Sequence, residues 1–455
     1  MAATQLFCAC TQYAAATVTA AVRAGLFGPR SEHRRILVVS DQSTVPEIGT
    51  RLDRMPGFGA LEPEFDEVRS WNEFIQPYHP AHWAPREHDM PLWQRVLRQT
   101  WNLGTGDIEI ACESIQGRPS HTVAQIFSES PIHVYADGLM SYGPTRKALD
   151  PQVAKRIRRL LLVDLVPGLR PLLLSEFGVE PEHIPSGTFT DVLRELAAHA
   201  DGLWRVVPHE SPALLLGQYL SAIDVLSAEE ERGLHLRMLR GVARLGHRFV
   251  VFKPHPSAPP DWSRDLEEEA ARLGVAFRVL AEPVLAEVIY QRMRPALVVG
   301  CFSTALLTAS SLFRLPVARI GTQLLLGRLT PYQNSNRIPV TIVDALLPEL
   351  DDASAVDSWS LTRSMEEHEE LADLIAAVGF VMQPDLHPRL RATAERYLAT
   401  HVDDPVRRYF HPRRLYRLGL PGGVPHRHRL VPRTRLVRRV ARGVRSVKRA
   451  VFDRS

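Results

Sequence analysis

Twice along this chain, short apolar runs alternate with helix-patterned segments, and that rhythm restricts the fold more than any other feature. In the first set Gln5 to Cys10 predicts a strand, Thr11-Gln12-Tyr13 a turn, and the alanine-rich stretch from about Ala14 to Ala24 a helix. Arg35 to Asp41 and Ile108 to Cys112 predict further strands, Trp93 to Trp101 and Thr122 to Phe127 helices. Ile132 to Tyr135 predicts a strand ending at Ala136-Asp137-Gly138. Strands that alternate with helices are joined by crossovers, so they pair in parallel and are buried on both faces. A second set starts near Pro212. Ala213 to Leu216 leads into Gly217-Gln218-Tyr219, and Ser227 with Glu230 forms a capping box for a helix to about Leu245. Phe249 to Phe252, a helix from Leu266 to Leu273, Phe277 to Leu280 and Ala296 to Val299 follow. Pro316 to Ile320 and Ile338 to Val343 complete the set. The proline-bearing stretch 181–212 is expected to hold the linker.

At 455 residues the chain is too long for one ordinary core. The divisions expected are a Rossmann-like lobe over 1–205, a second over 206–345, a helical extension over 346–420 packing back, and a basic tail over 421–455. Hydrophobic content of 45% and charged content of 23% are those of a soluble globular chain. The four cysteines, Cys8, Cys10, Cys112 and Cys301, sit in or just after strand-like runs and form no C-x-x-C pair. Neither a zinc site nor a disulfide framework is expected, and a reducing compartment suits them. The start of the chain lacks a basic segment before its short apolar run, and no stretch of about 18 apolar residues occurs, so neither a secretory signal nor a spanning helix is expected. A cytoplasmic location follows.

The net charge of +4 is unevenly placed, because much of the excess arginine lies after Pro425. Leu436 or Val437, Val440, Val444, Val447 and Val451 recur at helical spacing, with Arg435, Arg438, Arg439, Arg442, Arg445, Lys448 and Arg449 on the other face. Such a basic amphipathic helix over 430–452 suits an anionic membrane surface, here the inner face. A solvated basic tail is the alternative. Nucleic acid is not expected as a partner, because stacking aromatics are nearly absent from this segment.

Two short segments hold the chemistry of the second half: Lys253-Pro254-His255-Pro256 and Gly300-Cys301-Phe302-Ser303-Thr304. Each follows a strand-like run, and ligands of open parallel sheets collect at the carboxyl ends of strands. Ser303 or Thr304 opens the helical run Thr304 to Ala309, whose N-terminus is an anion site. Gly300 allows close approach of a ligand to the backbone. His255, held between prolines, can protonate or hold its charge against a phosphate oxygen, and Lys253 adds positive charge. A loop histidine and an ordinary helix cap are the plainer alternatives. Asp137 reads equally as a base facing a crevice and as a turn aspartate before Gly138.

Taken together, the acid-Gly strand end, Lys-Pro-His-Pro and Ser-Thr resemble the motifs of bacterial sialyltransferases, the polysialyltransferase-like family in particular. Cys10-Thr11-Gln12-Tyr13, Tyr135 to Met140 and Val163-Asp164-Leu165-Val166-Pro167-Gly168 add to the likeness, which spans roughly residues 5 to 345. The resemblance implies a GT-B architecture, two Rossmann-like domains facing across a cleft. It further implies inverting, metal-independent transfer of sialic acid from CMP-sialic acid to a glycan acceptor, with no cofactor. On that reading Asp137 is the base, His255 acts on the CMP phosphate, and Ser303 and Thr304 hold it beside Lys253, Pro256 and Gly300. Gly217 and Gln218 line the nucleotide crevice, Glu287 reaches ribose or cytosine, and Thr11, Gln12, Tyr13 and Gly138 stand on the acceptor side. One departure stands out: the family places two acids before the glycine, and here the first is Ala136, so Glu113 is a second candidate base. A GT-B transferase using CMP-Kdo or a UDP-sugar, and a non-catalytic glycan- or nucleotide-binding relative, are the alternatives.

Overall fold

The computed structural model describes residues 3–43, 45–136, 138–200, 211–255, 258, 261–360, 368–401 and 405–425. Among the described residues twelve strands form two parallel sheets. The first holds β1 (Ala3–Ala9), β2 (His33–Val39), β3 (Glu67–Ser70), β4 (Ile108–Cys112), β5 (Ile132–Ala136), β6 (Ile157–Val163) and β7 (Pro181–Ile184), in the order β3-β2-β1-β4-β5-β6-β7. The second holds β8 (Ala213–Leu216), β9 (Phe249–Lys253), β10 (Ala276–Val279), β11 (Leu297–Gly300) and β12 (Val317–Arg319), in the order β10-β9-β8-β11-β12. Each order reverses once, between β1 and β4 and between β8 and β11. At such a reversal neighbouring crossovers leave on opposite faces and open a crevice at the strand ends. Two Rossmann-like lobes of this kind make the GT-B fold.

Period-two alternation explains the layers. Phe7, Leu37, Tyr135 and Leu161 face a core that continues into the second lobe. Leu6, Ile36, Ile110 and Val134 face a separate cluster with Trp71 and Trp101. The helices used below are α1 (Gln12–Arg23), α2 (Ser186–His199), α3 (Ala228–Arg244), α4 (Ala286–Met293), α5 (Thr304–Ser311), α6 (Arg337–Leu346) and α7 (His368–Met382). The capping box expected at Ser227 and Glu230 is present on α3, a feature worth ~1 kcal/mol. The lobes touch through α2 and α4, where the Arg292 guanidinium donates to the Ala197 carbonyl at 3.0 Å. The extension bridges both lobes: the Gln383 amide donates to the Arg146 carbonyl at 2.6 Å, and the Tyr409 hydroxyl donates to the buried Asp344 at 2.7 Å.

One expectation is corrected. Ile338 to Val343 lies within α6, not in a strand. Its β-branched run is buried on all sides, and Pro339 falls in the first helical turn, where its missing N–H costs no bond. Within the stretch expected to hold the linker, Pro181–Ile184 form β7 and Ser186–His199 form α2, and residues 201–210 lie outside the described residues. The strands β3, β6 and β7 went unexpected because Glu67–Ser70 and Pro181–Ile184 are short, polar edge strands and β6 opens with two arginines. The tail 426–455, with the amphipathic helix expected there, also lies outside the described residues. Among the described residues no helix is long and apolar enough to cross a membrane.

Candidate functional site

In the second lobe three strand ends are tied together around the reversal. The Gly217 N–H after β8 donates to the Lys253 carbonyl ending β9, at 2.9 Å. A β-carbon on Gly217 would stand 2.9 Å from the Phe252 ring, so the glycine permits that close crossing rather than making room for a ligand. On the other side Gln218 Oε1 accepts from the Phe302 N–H at 3.0 Å, fixing the turn after β11. The turn after β8 is itself held by Glu231, fully buried on α3, which accepts from the Leu220 and Ser221 N–H groups at 2.7 and 2.8 Å. Two charge-assisted bonds of this kind make a rigid turn.

Onto this frame the chain places its donors. Ser303 is the N-cap of α5, its hydroxyl accepting from the Ala305 N–H at 3.2 Å. The Thr304 hydroxyl faces the first lobe and accepts from the Leu139 N–H at 3.3 Å. Across that seam a β-carbon on Gly138 would lie 2.6 Å from Thr304 Oγ1, so only glycine lets the two lobes meet here. Lys253 is buried, and its ammonium donates to the Glu282 carbonyl at 3.1 Å. Burial lowers its pKa to about 8, against the opposing pull of Glu282. His255 is exposed just beyond, in a turn closed by the Ala258 N–H on its carbonyl at 2.9 Å. Crowding by protein atoms, and then the Lys253 charge, hold its pKa below the usual histidine value. Its ring centroid lies 6.3 Å from that of Tyr219, which is braced edge-on by Trp262 at 5.4 Å. Tyr219 is a candidate that sequence reasoning passed over; its place directly after Gly217-Gln218 was the available signal.

In the first lobe the crevice lies between the ends of β1 and β4. Glu113, one residue past β4, accepts from the Cys10 N–H at 3.0 Å. It lines a cavity of about 190 Å³ with Ala136, Gly138, Ser141 and Arg146, closed by Ser335 of the second lobe and Met382 of the extension. The buried Tyr142 hydroxyl accepts from the Leu165 and Val166 N–H groups at 3.2 and 3.1 Å, locking the Val163 to Gly168 turn beneath the site. Asp137 and Pro256 lie outside the described residues.

Other site expectations are corrected. Glu287 is buried under α5, where it accepts from the Thr308 hydroxyl at 2.6 Å, and burial raises its pKa. It does not face the cleft. Gln12 is buried and donates to the Pro56 carbonyl at 2.8 Å, while Tyr13 packs edge-on against Phe189 of α2. Both hold α1 in place instead of facing an acceptor. Thr11 is exposed but caps α1, its hydroxyl accepting from the Ala14 N–H at 2.9 Å. Gly300 is buried beneath Leu306, where an added β-carbon would make ordinary contact at 3.4 Å, so no ligand approaches through it. Among the described residues no group of three or more His, Cys, Asp or Glu side chains converges as a metal site would need.

Residues 5–322 match the family described as Alpha-2,8-polysialyltransferase (POLYST). No curated protein matches the chain. Among solved structures, a glycosyltransferase from Rickettsia africae aligns at 11% identity and a TM-score of 0.36, covering 82% of this chain and 98% of its own. The GT-B domain of a Photobacterium damselae sialyltransferase aligns at 11% identity and a TM-score of 0.40, covering 77% and 98%. A Photobacterium sp. 2,6-sialyltransferase, solved with CMP and lactose, aligns at 10% identity and a TM-score of 0.42, covering 77% and 79%.

Proposed function

The chain belongs to the alpha-2,8-polysialyltransferase family and is a glycosyltransferase, and from that premise we propose that it moves sialic acid from CMP-sialic acid to a glycan hydroxyl. The reaction inverts the anomeric carbon and uses no metal ion. An acceptor oxygen attacks that carbon from the first lobe while its proton passes to Asp137. The bond from the anomeric carbon to the phosphate oxygen breaks, and CMP leaves toward the second lobe. There His255 gives a proton or a hydrogen bond to the departing phosphate, and Ser303 with the first turn of α5 holds the remaining charge. A single phosphate needs no more than this. Lys253 sets the potential from behind, and Tyr219 offers a face to the cytosine or ribose. Glu113, held on the Cys10 N–H, supplies negative charge where the first of the two family acids is replaced by Ala136.

The observation that carries this reading is the seam at Gly138, Leu139 and Thr304, where the turn following β5 meets the N-terminus of α5. That contact supports reading the turn after β5 and the start of α5 as the two sides of one reaction cleft. Calorimetric titration tests the donor class: CMP should bind more tightly than UDP, and preference for UDP would overturn the CMP assignment in favour of a UDP-sugar transferase. Mass spectrometry of products from a panel including CMP-sialic acid and CMP-Kdo then identifies the sugar. Absence of turnover with every donor would mark a non-catalytic relative. The basic stretch 430–452 is proposed to hold the enzyme on an anionic membrane face. Deleting 426–455 should release it from anionic vesicles and leave transfer to soluble acceptors intact.

A further inference from the structure

A second cavity, of about 260 Å³, opens in the first lobe at the carboxyl ends of β2 and β3, to one side of the crevice described above. Its mouth carries Tyr78, 62% exposed, a large share for an aromatic ring in a chain that buries most of its others. That ring is not loose: it lies at 25° to the plane of Trp83, which packs on Trp71 and Trp93. A solvent-facing aromatic held beside a cavity that mixes apolar and carboxylate side chains is a surface suited to the C–H face of a sugar, since the ring face carries negative charge density.

The charges decide which sugar. Asp41, Glu47, Asp53 and Glu73 line the cavity against Arg51. Arg51 is already paired, with Asp53 at 2.8 Å and with Glu73. His79 is turned to the backbone, its Nδ1 accepting from the Ala81 N–H at 3.2 Å and its Nε2 lying 2.8 Å from the Ser43 carbonyl. An anionic sugar there would meet a surplus of carboxylates at close range. With the strands ~4.8 Å apart, β2 and β3 lie roughly 14–19 Å from the β5 end, a span of several sugar rings.

We propose that this cavity is a subsite for an uncharged portion of the acceptor glycan, remote from the reacting hydroxyl, and that it disfavours a polysialic acid chain. The inference rests on the glycosyl-transfer reading above and names its acceptor class.

The test uses the full chain and two probes, the neutral tetrasaccharide lacto-N-neotetraose and α2,8-linked trisialic acid, titrated by calorimetry. The neutral probe should bind the wild type more tightly than the anionic one. Tyr78→Ala should weaken the neutral probe by up to ~10-fold, the scale of one aromatic contact, and Tyr78→Phe should retain it. Glu47→Gln should narrow the gap between the probes. Unchanged tetrasaccharide affinity in Tyr78→Ala, or tighter binding of trisialic acid by the wild type, would overturn the proposal. Hydrolysis of CMP-sialic acid without acceptor separates the two readings: Tyr78-dependent sugar binding with no donor turnover sinks the sialyl-transfer reading and spares the subsite.

Discussion

The two crevices are built at the same topological point of two similar sheets, yet they carry different charged groups. In the second lobe Lys253, His255 and the start of α5 present cations and donors, and Gln218, Gly217 and Glu231 brace every turn that holds them. In the first lobe the strand ends present carboxylates, Glu113 at the crevice and four more around the neighbouring cavity. The difference teaches how one scaffold serves the two ends of a displacement. On the proposed mechanism, leaving-group charge develops on the side of Lys253 and His255, and the proton to be removed lies on the side of the carboxylates.

The largest expected effect would break that polarity outright. His255→Asn should lower kcat for transfer by ~10²–10⁴-fold, and Asp137→Asn by a similar factor, the range for a general acid or base. Circular dichroism should show both variants folded. Wild-type rates in either would remove that residue from the mechanism. Next in size is the join between the lobes. Gly138→Ala puts a methyl against the Thr304 hydroxyl and should cost about 1–3 kcal/mol of stability, the usual penalty for overpacking. Adding Thr304→Ala should recover most of that loss in thermal melts, and a simple sum of the two effects would show that the clash lies elsewhere.

The pH profile sharpens the comparison further. A general acid must be protonated, so kcat/KM should fall as pH rises through the pKa of free His255, which lies below the usual histidine value. In kcat the same limb should move to higher pH, because a bound phosphate favours the imidazolium. Identical limbs in both profiles would argue against contact between His255 and the phosphate. The smallest effect is electrostatic alone: Lys253→Met removes a neighbouring cation and should raise the His255 pKa, as followed by its ring proton shifts in NMR.

Much of this polarity was legible in the residues. Strand ends at Lys253 and Gly300 announce themselves, because a buried apolar run must stop where backbone meets a polar turn, and Ser227 with Glu230 signals a helix start directly. What stayed hidden depends on direction rather than on pattern. Glu287 and Gln12 sit in segments that border the cleft, yet their side chains point into the core. Sequence gives no azimuth for a polar residue on a helix buried on several sides. The edge strands β3 and β7 carry too little apolar character to show, being half-solvated. Gly138 looked like half of a turn signal, and only the opposing lobe gives it a reason to lack a side chain.

The contact between the Leu139 amide and the Thr304 hydroxyl has a kinetic corollary. It is one of several joins between the lobes, beside the α2–α4 flank and the packing of α6 on the turn at Leu139 to Tyr142. On the proposed mechanism, parting of that contact would separate the turn carrying Asp137 from the start of α5, leaving a donor held by the second lobe without its acceptor. On that reading transfer proceeds only while the two lobes are held together at this seam.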